Sequence, residues 1–501
     1  MSALGPIDWT VFVGYLAVIF GIGVWFARRQ KDSEDYFVGG RRMNWLAVGM
    51  SLFAAGFSSV SFVALPREAA YQDYHFLVTI LFIPLVITPI LWWIFVPLYI
   101  RLGVTSVYEY LEIRFHRGLR RTGTLLFAGY AIGWMGSMLY ALGLILQAVT
   151  GLDDTQMAWT IVALGLFTVA FTALGGVKAV IWTDVLQSLT LGGSILLVLF
   201  LALGRIDGGW STVSALAREH NKFEMFDLTP DLARRDTFYA ACAFALFMYL
   251  PGYTVSQVTV QRYVATGSLA RARRSLAINA VVVAATCSFF FLVGTTLFAF
   301  YHQPGATGFP DLPREDQILS YFVSTQFPRV GMVGLMLAGL FAAAMSSLDG
   351  GINSLTAVVA YDWLSGRALS VRAGRLLSTF FGLAVIGAGL AAPYLGQHVI
   401  GIITMIAGTF LGLLLGVYLL GMFVPRANTP GAVAGLLAGV TCFLAVWMLT
   451  DVPHWWYGAT TCFPSFFVGW LASCAFPPPP AATRVALVKF RNDVEPALNH
   501  E

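Results

Sequence analysis

The stretch AAAMSSLDGGINS, residues 342–354, lies inside an apolar run that begins near Val330. It places two adjacent hydroxyls (Ser346, Ser347), a carboxylate (Asp349) and a carboxamide (Asn353) at membrane depth. An ionisable group in hydrocarbon costs about 2.5–3.5 kcal/mol on insertion scales, so such groups face a cavity or an ion path. Oxygen ligands alone suit a hard cation such as sodium rather than a transition metal. The stretch therefore points to an ion-coupled transporter.

The rest of the chain agrees with a membrane setting. Of 501 residues, 58% are hydrophobic and 11% charged, against about 25% charged in soluble domains. The expected fold class is an all-α polytopic membrane protein in direct contact with the lipid bilayer. About twenty apolar residues make a spanning helix, and thirteen such segments are expected: 8–27, 44–65, 76–100, 122–149, 157–177, 179–204, 237–261, 276–301, 330–363, 374–394, 399–424, 430–450 and 456–476. With the N-terminus outside, 22 of the 30 Lys and Arg fall on the cytoplasmic side and eight outside. That asymmetry satisfies the positive-inside rule for an odd number of spans. The expected location is the plasma (inner) membrane, multi-pass, with a cytoplasmic C-terminus and a short tail over 477–501.

Smaller features carry weaker readings. The stretch 104–121 is basic and amphipathic, either a helix on the inner leaflet or a charged connector. The external stretches 205–236 and 302–329 have room for short surface helices. Gly129/Gly133, Gly412/Gly416 and Gly435/Gly439 are expected to let helices approach. Five cysteines without metal spacing read as buried small hydrophobes. The seven histidines fall in loops or span ends, and HExxH and GxSxG are absent, so an enzyme is not expected. Neither a prosthetic group nor a nucleic-acid partner is indicated, and the oligomeric state is left open.

Two spans are interrupted. The second carries SLFAAGFSSVSF (51–62), with Gly56 beside Ser58, Ser59 and Ser61; the seventh carries MYLPGYTVSQVTVQRY (248–263), with Pro251–Gly252 in mid-membrane. Proline removes a backbone donor and glycine permits unwinding. The breaks lie five spans apart, so the second unit is inverted relative to the first, the pattern that marks a transporter's binding site. A simple kink, with the serines bonded to their own helix, is the alternative.

At this point the chain resembles the sodium:solute symporter family over about residues 8–476. The resemblance is carried by DYFVGGRRMNWLAVGMSLFA (35–54), TSVYEYLEIRF (105–115), GGVKAVIWTDVLQS (175–188), SQVTVQRY (256–263) with AAAMSSLDGGINS, and GMFVPRANTPGAVAG (421–435). It implies a leucine-transporter-like core of five-plus-five inverted helices. An extra span (8–27) would precede the repeats 44–204 and 237–424, and two spans (430–476) would follow. It also implies sodium-driven symport of a small organic solute by alternating access, with Na+ as coupling ion. TSVYEYLEIRF and the hydroxyl-rich second span look most like the monocarboxylate, vitamin and iodide branch, which points to a small organic anion. Sodium/glucose and sodium/proline carriers are wider relatives.

Carried over by position, the sodium ligands would be the carbonyls of Ala54, Phe57 and Ala343 and the hydroxyls of Ser346 and Ser347. A second site in some relatives maps to Asp184 and Asp349, with Ser346 shared. This chain departs there, offering Asp349 and Gly350 where hydroxyls are usual, so Asp349 reads equally as a proton-titrating group in a proton-coupled carrier. Asp184 has a further reading, an ion pair with Lys178 at the cytoplasmic rim. Several relatives carry Asn or Asp at the position of Gly56, so solute recognition is expected from Ser58, Ser59, Ser61, His75, Thr79, Tyr249, Tyr253 and Gln257. Arg262 reads as a closing intracellular ion pair or a snorkelling anchor, and Arg67 as an attractor of anions or an interface anchor. A sensor on a transporter scaffold is the remaining functional class.

Overall fold

The computed structural model describes residues 5–29, 36–37, 39–231, 233–306, 308–312, 314–328, 330–364, 370–395 and 399–488. The tail past 488 and five counted charges (Lys31, Arg329, Arg367, Lys489, Arg491) lie outside them. Helices dominate: α1 (Pro6–Ala27), α2 (Trp45–Gly56), α3 (Ser59–Tyr71), α4 (His75–Leu102), α5 (Arg117–Thr150), α6 (Asp154–Leu203), α7 (Phe238–Thr254), α8 (Gln257–Val264), α9 (Leu269–His302), α10 (Met332–Trp363), α11 (Val371–Ala391), α12 (Val399–Phe423), α13 (Thr429–Leu449) and α14 (Tyr457–Ala475). Among the described residues, nine helices are long and apolar enough to cross a membrane.

Two further spans are bent pairs, α2 with α3 at 70° and α7 with α8 at 51°. The first falls where the sequence places its break; the second lies at Val255–Ser256, just past Pro251–Gly252, which stay helical because Pro251 stands at the start of the segment Leu250–Thr254, where a proline's missing N–H costs little. Asn44 caps α2, accepting hydrogen bonds from the Leu46 and Ala47 amides at 2.8 and 3.4 Å. The fifty-residue α6 is itself divided at Gly176, whose φ of 60° and ψ of −173° interrupt the helix. Only glycine visits that region without strain. The divide lies at the end of the fifth expected span (157–177), next to its boundary with the sixth.

α10 is the buried axis of the bundle, its most apolar window 89% buried. Its N-terminus is fixed by α1. The buried Asp8 accepts hydrogen bonds from the amides of Gly331 (2.9 Å) and Gly334 (3.2 Å), where a helix start has unpaired donors. The expected glycine pairs do meet neighbouring helices: Gly129 and Gly133 face Phe410 and Ile406 of α12, Gly412 and Gly416 face α14, and Gly435 and Gly439 face Ser465. Cys287 and Cys462 are buried as expected, but Cys474 is exposed.

Polar clamps close both ends. At one, Lys222 donates to the last carbonyls of α3, Ala70 (2.8 Å) and Gln72 (2.7 Å). Glu68 pairs with Arg235 at 2.8 Å, and Arg67 with Glu68 and Glu315. Arg67 is thus committed to carboxylates. Short helices occupy Trp210–Glu219 and Ile318–Gln326 of the external stretches. At the other end, only Glu109–Arg114 of the 104–121 stretch forms its own helix before α5 begins at Arg117. That turn is packed into the protein: Arg114 is buried and donates to the Gly421 and Val424 carbonyls (both 2.8 Å) at the end of α12. Arg120 and Asp362 join α5 to α10 at 2.6 Å.

α9 and α3 pack so closely that a Cβ at Gly294 would collide with the Pro66 carbonyl and Ala69. Gly294→Val should lower stability by about 1–3 kcal/mol, the usual cost of overpacking. Thermal unfolding in detergent reads this directly, and an unchanged midpoint would contradict the close approach.

Candidate functional site

The last carbonyls of a helix have no partner within it. α2 ends at Gly56 inside the apolar layer, and the Phe57 amide returns only to the Phe53 carbonyl. α10 supplies the missing partners. Ser346 Oγ donates to the Ala54 carbonyl at 2.8 Å and lies 3.3 Å from that of Ala343. Ser347 Oγ lies 3.2 Å from the Ala55 carbonyl and 3.4 Å from that of Ala343. Ala54, Ala343, Ser346 and Ser347 therefore converge. Ala55 enters the cluster unforeseen, since a backbone ligand leaves no mark on its own side chain. Phe57 is buried next to the break, its ring 5.0 Å from that of Phe290.

A second polar cluster lies deeper. Asp184 Oδ2 accepts from Ser51 Oγ at 2.5 Å and from Arg262 Nη2 at 3.0 Å. Arg262 also donates to Ser51 Oγ (2.7 Å) and the Val258 carbonyl (2.7 Å). Asp184 thus takes its ion pair from Arg262, 78 residues away, and Arg262 is a buried gate-like link between α8, α2 and α6, not a snorkelling anchor. A Cβ at Gly350 would strike the guanidinium, so this glycine makes room for it. Asp349 is 0% exposed and lies within electrostatic range of Asp184 and Arg262. Among the described residues, neither of its oxygens has a side-chain hydrogen-bond partner, and Asp184 Oδ1 has no partner. Two carboxylates thus face one guanidinium, a setting that favours another cation.

Beside the first cluster lies a cavity of about 270 Å³ that reaches from Ser256 and Thr404 to the Glu68–Arg235 pair. Ser58, Ser61, Tyr249 and Tyr253 line it. The other expected solute contacts do not. Ser59 bonds the Met138 carbonyl at 3.3 Å, Thr79 is buried away from the cavity, and His75 Nδ1 sits 2.6 Å from Asp73. Gln257 is a clip: its Oε1 accepts from the Val107 amide (2.8 Å) and its Nε2 donates to the Thr105 carbonyl (2.9 Å). Side chains missed by the sequence reading, Trp134 and Tyr130 of α5, stand in the wall with stacked rings 5.8 Å apart. Their spacing of four reads like ordinary helix packing, so no signal set them apart.

Two helices broken in mid-membrane, an oxygen cluster at one break and an adjoining cavity define an ion-coupled membrane transporter. The chain belongs to the sodium:solute symporter family, whose sequence profile matches residues 36–439. It is 32% identical to the sodium/sialic acid symporter of Aliivibrio fischeri over 95% of this chain and 94% of that protein. It is 35% identical to the human sodium/iodide cotransporter, over 89% of this chain and 70% of that protein. Its fold superposes with a TM-score of 0.84 on a sodium-coupled sialic acid symporter solved substrate-bound and outward-open, at 31% identity, covering 95% of this chain and 99% of that one. A nucleobase-cation-symport-1 family transporter shares the fold alone, at a TM-score of 0.53 and 13% identity. Sodium is the coupling ion and a small solute the cargo; the family and these relatives are transporters.

Breaking a buried ion pair costs about 3–5 kcal/mol because one charge is stranded. Arg262→Met should lose that much stability, and adding Asp184→Asn should restore part of it. A double mutant no more stable than Arg262→Met would show that the pair is not energetically coupled.

Proposed function

We propose that sodium binds at the break in α2, held by the carbonyls of Ala54, Phe57 and Ala343 and the hydroxyls of Ser346 and Ser347, and that it drives uptake of a small organic anion held in the adjoining cavity. The observation that carries this reading is the convergence of both serine hydroxyls on carbonyls of α2 and α10 beside that cavity. Hydroxyls that now donate to carbonyls would turn their lone pairs to the ion. The C-terminal end of α2 carries the negative end of its dipole, which favours a cation. The Ala55 carbonyl is available as a further oxygen.

Sodium at this point would hold α2 against α10 and fix the shape of the break. Solute affinity then rises with sodium, and sodium affinity with solute, by the same factor. Release inside begins when α10 and α2 part. Asp184 and Asp349 form a second cation site in this reading, with Ser346 one turn from Asp349; the unpartnered carboxylate oxygens support it. Ser58, Ser61, Tyr249 and Tyr253 serve as solute contacts. An anionic solute accords with relatives that carry sialic acid and iodide.

The repeats would span 44–204 and 237–424, with α1 before them and α13 and α14 after. Thirteen spans result when α6 is counted as two arms about Gly176 and α14 as a span. The N-terminus and the Arg235 end of the cavity face outward, and the Arg120–Asp362 end faces the cytoplasm of a cell whose plasma (inner) membrane holds the protein. The stretches read as external do gather at one end (Arg235, Glu315) and those read as internal at the other (Arg101 with Leu487).

Ser347→Ala removes one ligand, and hydrogen bonds to charged groups are worth about 1.5–3 kcal/mol. Sodium binding should therefore weaken roughly 10- to 100-fold, measured by radiotracer on the purified protein with potassium as the control ion. Wild-type affinity in the variant would reject the assigned site. For orientation, Thr229→Cys in a cysteine-free background should react with an impermeant maleimide on intact cells, whereas Thr122→Cys should react only after permeabilisation. The opposite pattern would invert the topology.

A further inference from the structure

Gly56 ends α2 at the first break, Gly252 sits in the last turn of α7 before the second, and both line the cavity. Glycine in a helix costs about 1 kcal/mol relative to alanine, so its presence calls for a reason. Backbone geometry does not supply one, because neither residue has a positive φ. Packing does not either: a Cβ at each would meet nothing within 4 Å, unlike the glycines at the helix crossings. Both present bare backbone to open space, and Gly56 is exposed although it lies in mid-membrane. The surrounding wall is largely apolar and includes the rings of Phe53, Phe57, Tyr130, Trp134, Tyr249 and Tyr253. Part of its polar capacity is already used, since the Tyr253 hydroxyl accepts from Asn279 at 3.0 Å. Among the described residues, the only charged side chains in the lining are Glu68 and Arg235, bound to one another.

The cavity nonetheless has a positive pole. α3 and α8 both begin in its wall. Ser58 Oγ lies 3.4 Å from both the Ser61 amide and the Ser61 hydroxyl, and Ser256 makes no side-chain cap for α8. Free amides at helix starts favour an anion, and the proposed sodium lies across the same break.

We infer that Gly56 and Gly252 determine specificity by keeping two stretches of bare backbone clear for a flat solute body, and that the solute is a planar, largely apolar monoanion, an aromatic or heteroaromatic carboxylate. This rests on the reading that the cavity holds the solute. A planar ring packs against bare backbone on one face and aromatic side chains on the other, while its single carboxylate meets the amides at the helix starts. A Cβ at either glycine would occupy the space of the ring. A polyhydroxylated acid would turn most of its hydroxyls towards carbon, leaving them without partners.

The test uses the full chain in detergent and follows thermal stabilisation and radiotracer binding. Sodium is the reference ligand; the probes are phenylacetate, phenylacetamide, lactate and N-acetylneuraminate. In sodium, phenylacetate should bind at least tenfold more tightly than the other three. Gly252→Ala should keep the wild-type sodium response and an equal or higher midpoint, yet weaken phenylacetate at least tenfold. A Gly252→Ala variant that binds phenylacetate like wild type overturns the inference. So does a preference for N-acetylneuraminate, for the neutral amide, or for none of the probes, when the sodium response is intact. A wild-type protein without a sodium response overturns the proposed function itself, so the two failures are distinguishable.

Discussion

A helix that stops inside an apolar layer leaves backbone groups that neither water nor lipid can satisfy. The rest of this structure follows from that constraint at residues 57–58. On one side of the break, α2 ends with carbonyls, and α10 answers two of them, through Ser346 and Ser347. On the other side, α3 starts with amides that face a cavity. The same interruption therefore makes a cation-favouring end and an anion-favouring end a few ångströms of chain apart. Asp8 strengthens the arrangement from a distance by pinning the start of α10, the helix that carries both hydroxyls.

The two arms of the broken span are anchored at opposite ends. Ser51 of α2 is held in the Asp184–Arg262 cluster. The far end of α3 is held by Lys222 at its last carbonyls and by the Glu68–Arg235 and Arg67–Glu315 pairs. Between these anchors the chain has only residues 57 and 58 outside helical geometry. Motion of one arm relative to the other is thus concentrated at the break, where the proposed ion site and the cavity are. Exposed pairs are worth little individually, but Glu68 is shielded and Lys222 is buried, so this clamp is firmer than its charge count suggests.

What the sequence made legible was whatever a membrane makes costly. Pro251–Gly252 and the serine cluster after Gly56 are disruptive in hydrocarbon, and both lie in bent pairs, although the second bend comes at Val255–Ser256, past the proline. Ser346 and Ser347 stand out for the same reason. Backbone ligands are anonymous by contrast: nothing about an alanine says that its carbonyl is free, which is why Ala55 escaped notice. Polar side chains could be seen but not aimed. Gln257 looks like a solute contact and is a structural clip, and Asp184 sits near Lys178 in sequence but beside Arg262 in space. The amphipathic run 104–121 was legible as a pattern, but not that its Arg114 meets the carbonyl end of α12 and its Arg120 pairs with Asp362.

Coupling between ion and solute needs no separate device in this geometry. Whatever holds the α2 end in one position also fixes where the α3 start points, because two residues join them. A sodium ion that favours one arrangement by 1.4 kcal/mol over another changes solute affinity about tenfold at most, and the solute returns the same factor. The serines already bridge α2 and α10 through hydrogen bonds, so the ion replaces contacts instead of creating an interface. Its differential effect must then come from charge. A cation between carbonyl oxygens raises the positive potential felt at the amide ends across the break, a term that acts on an anion and hardly on a neutral solute. With sodium at the proposed site, the strength of coupling is therefore tied to the charge of the solute.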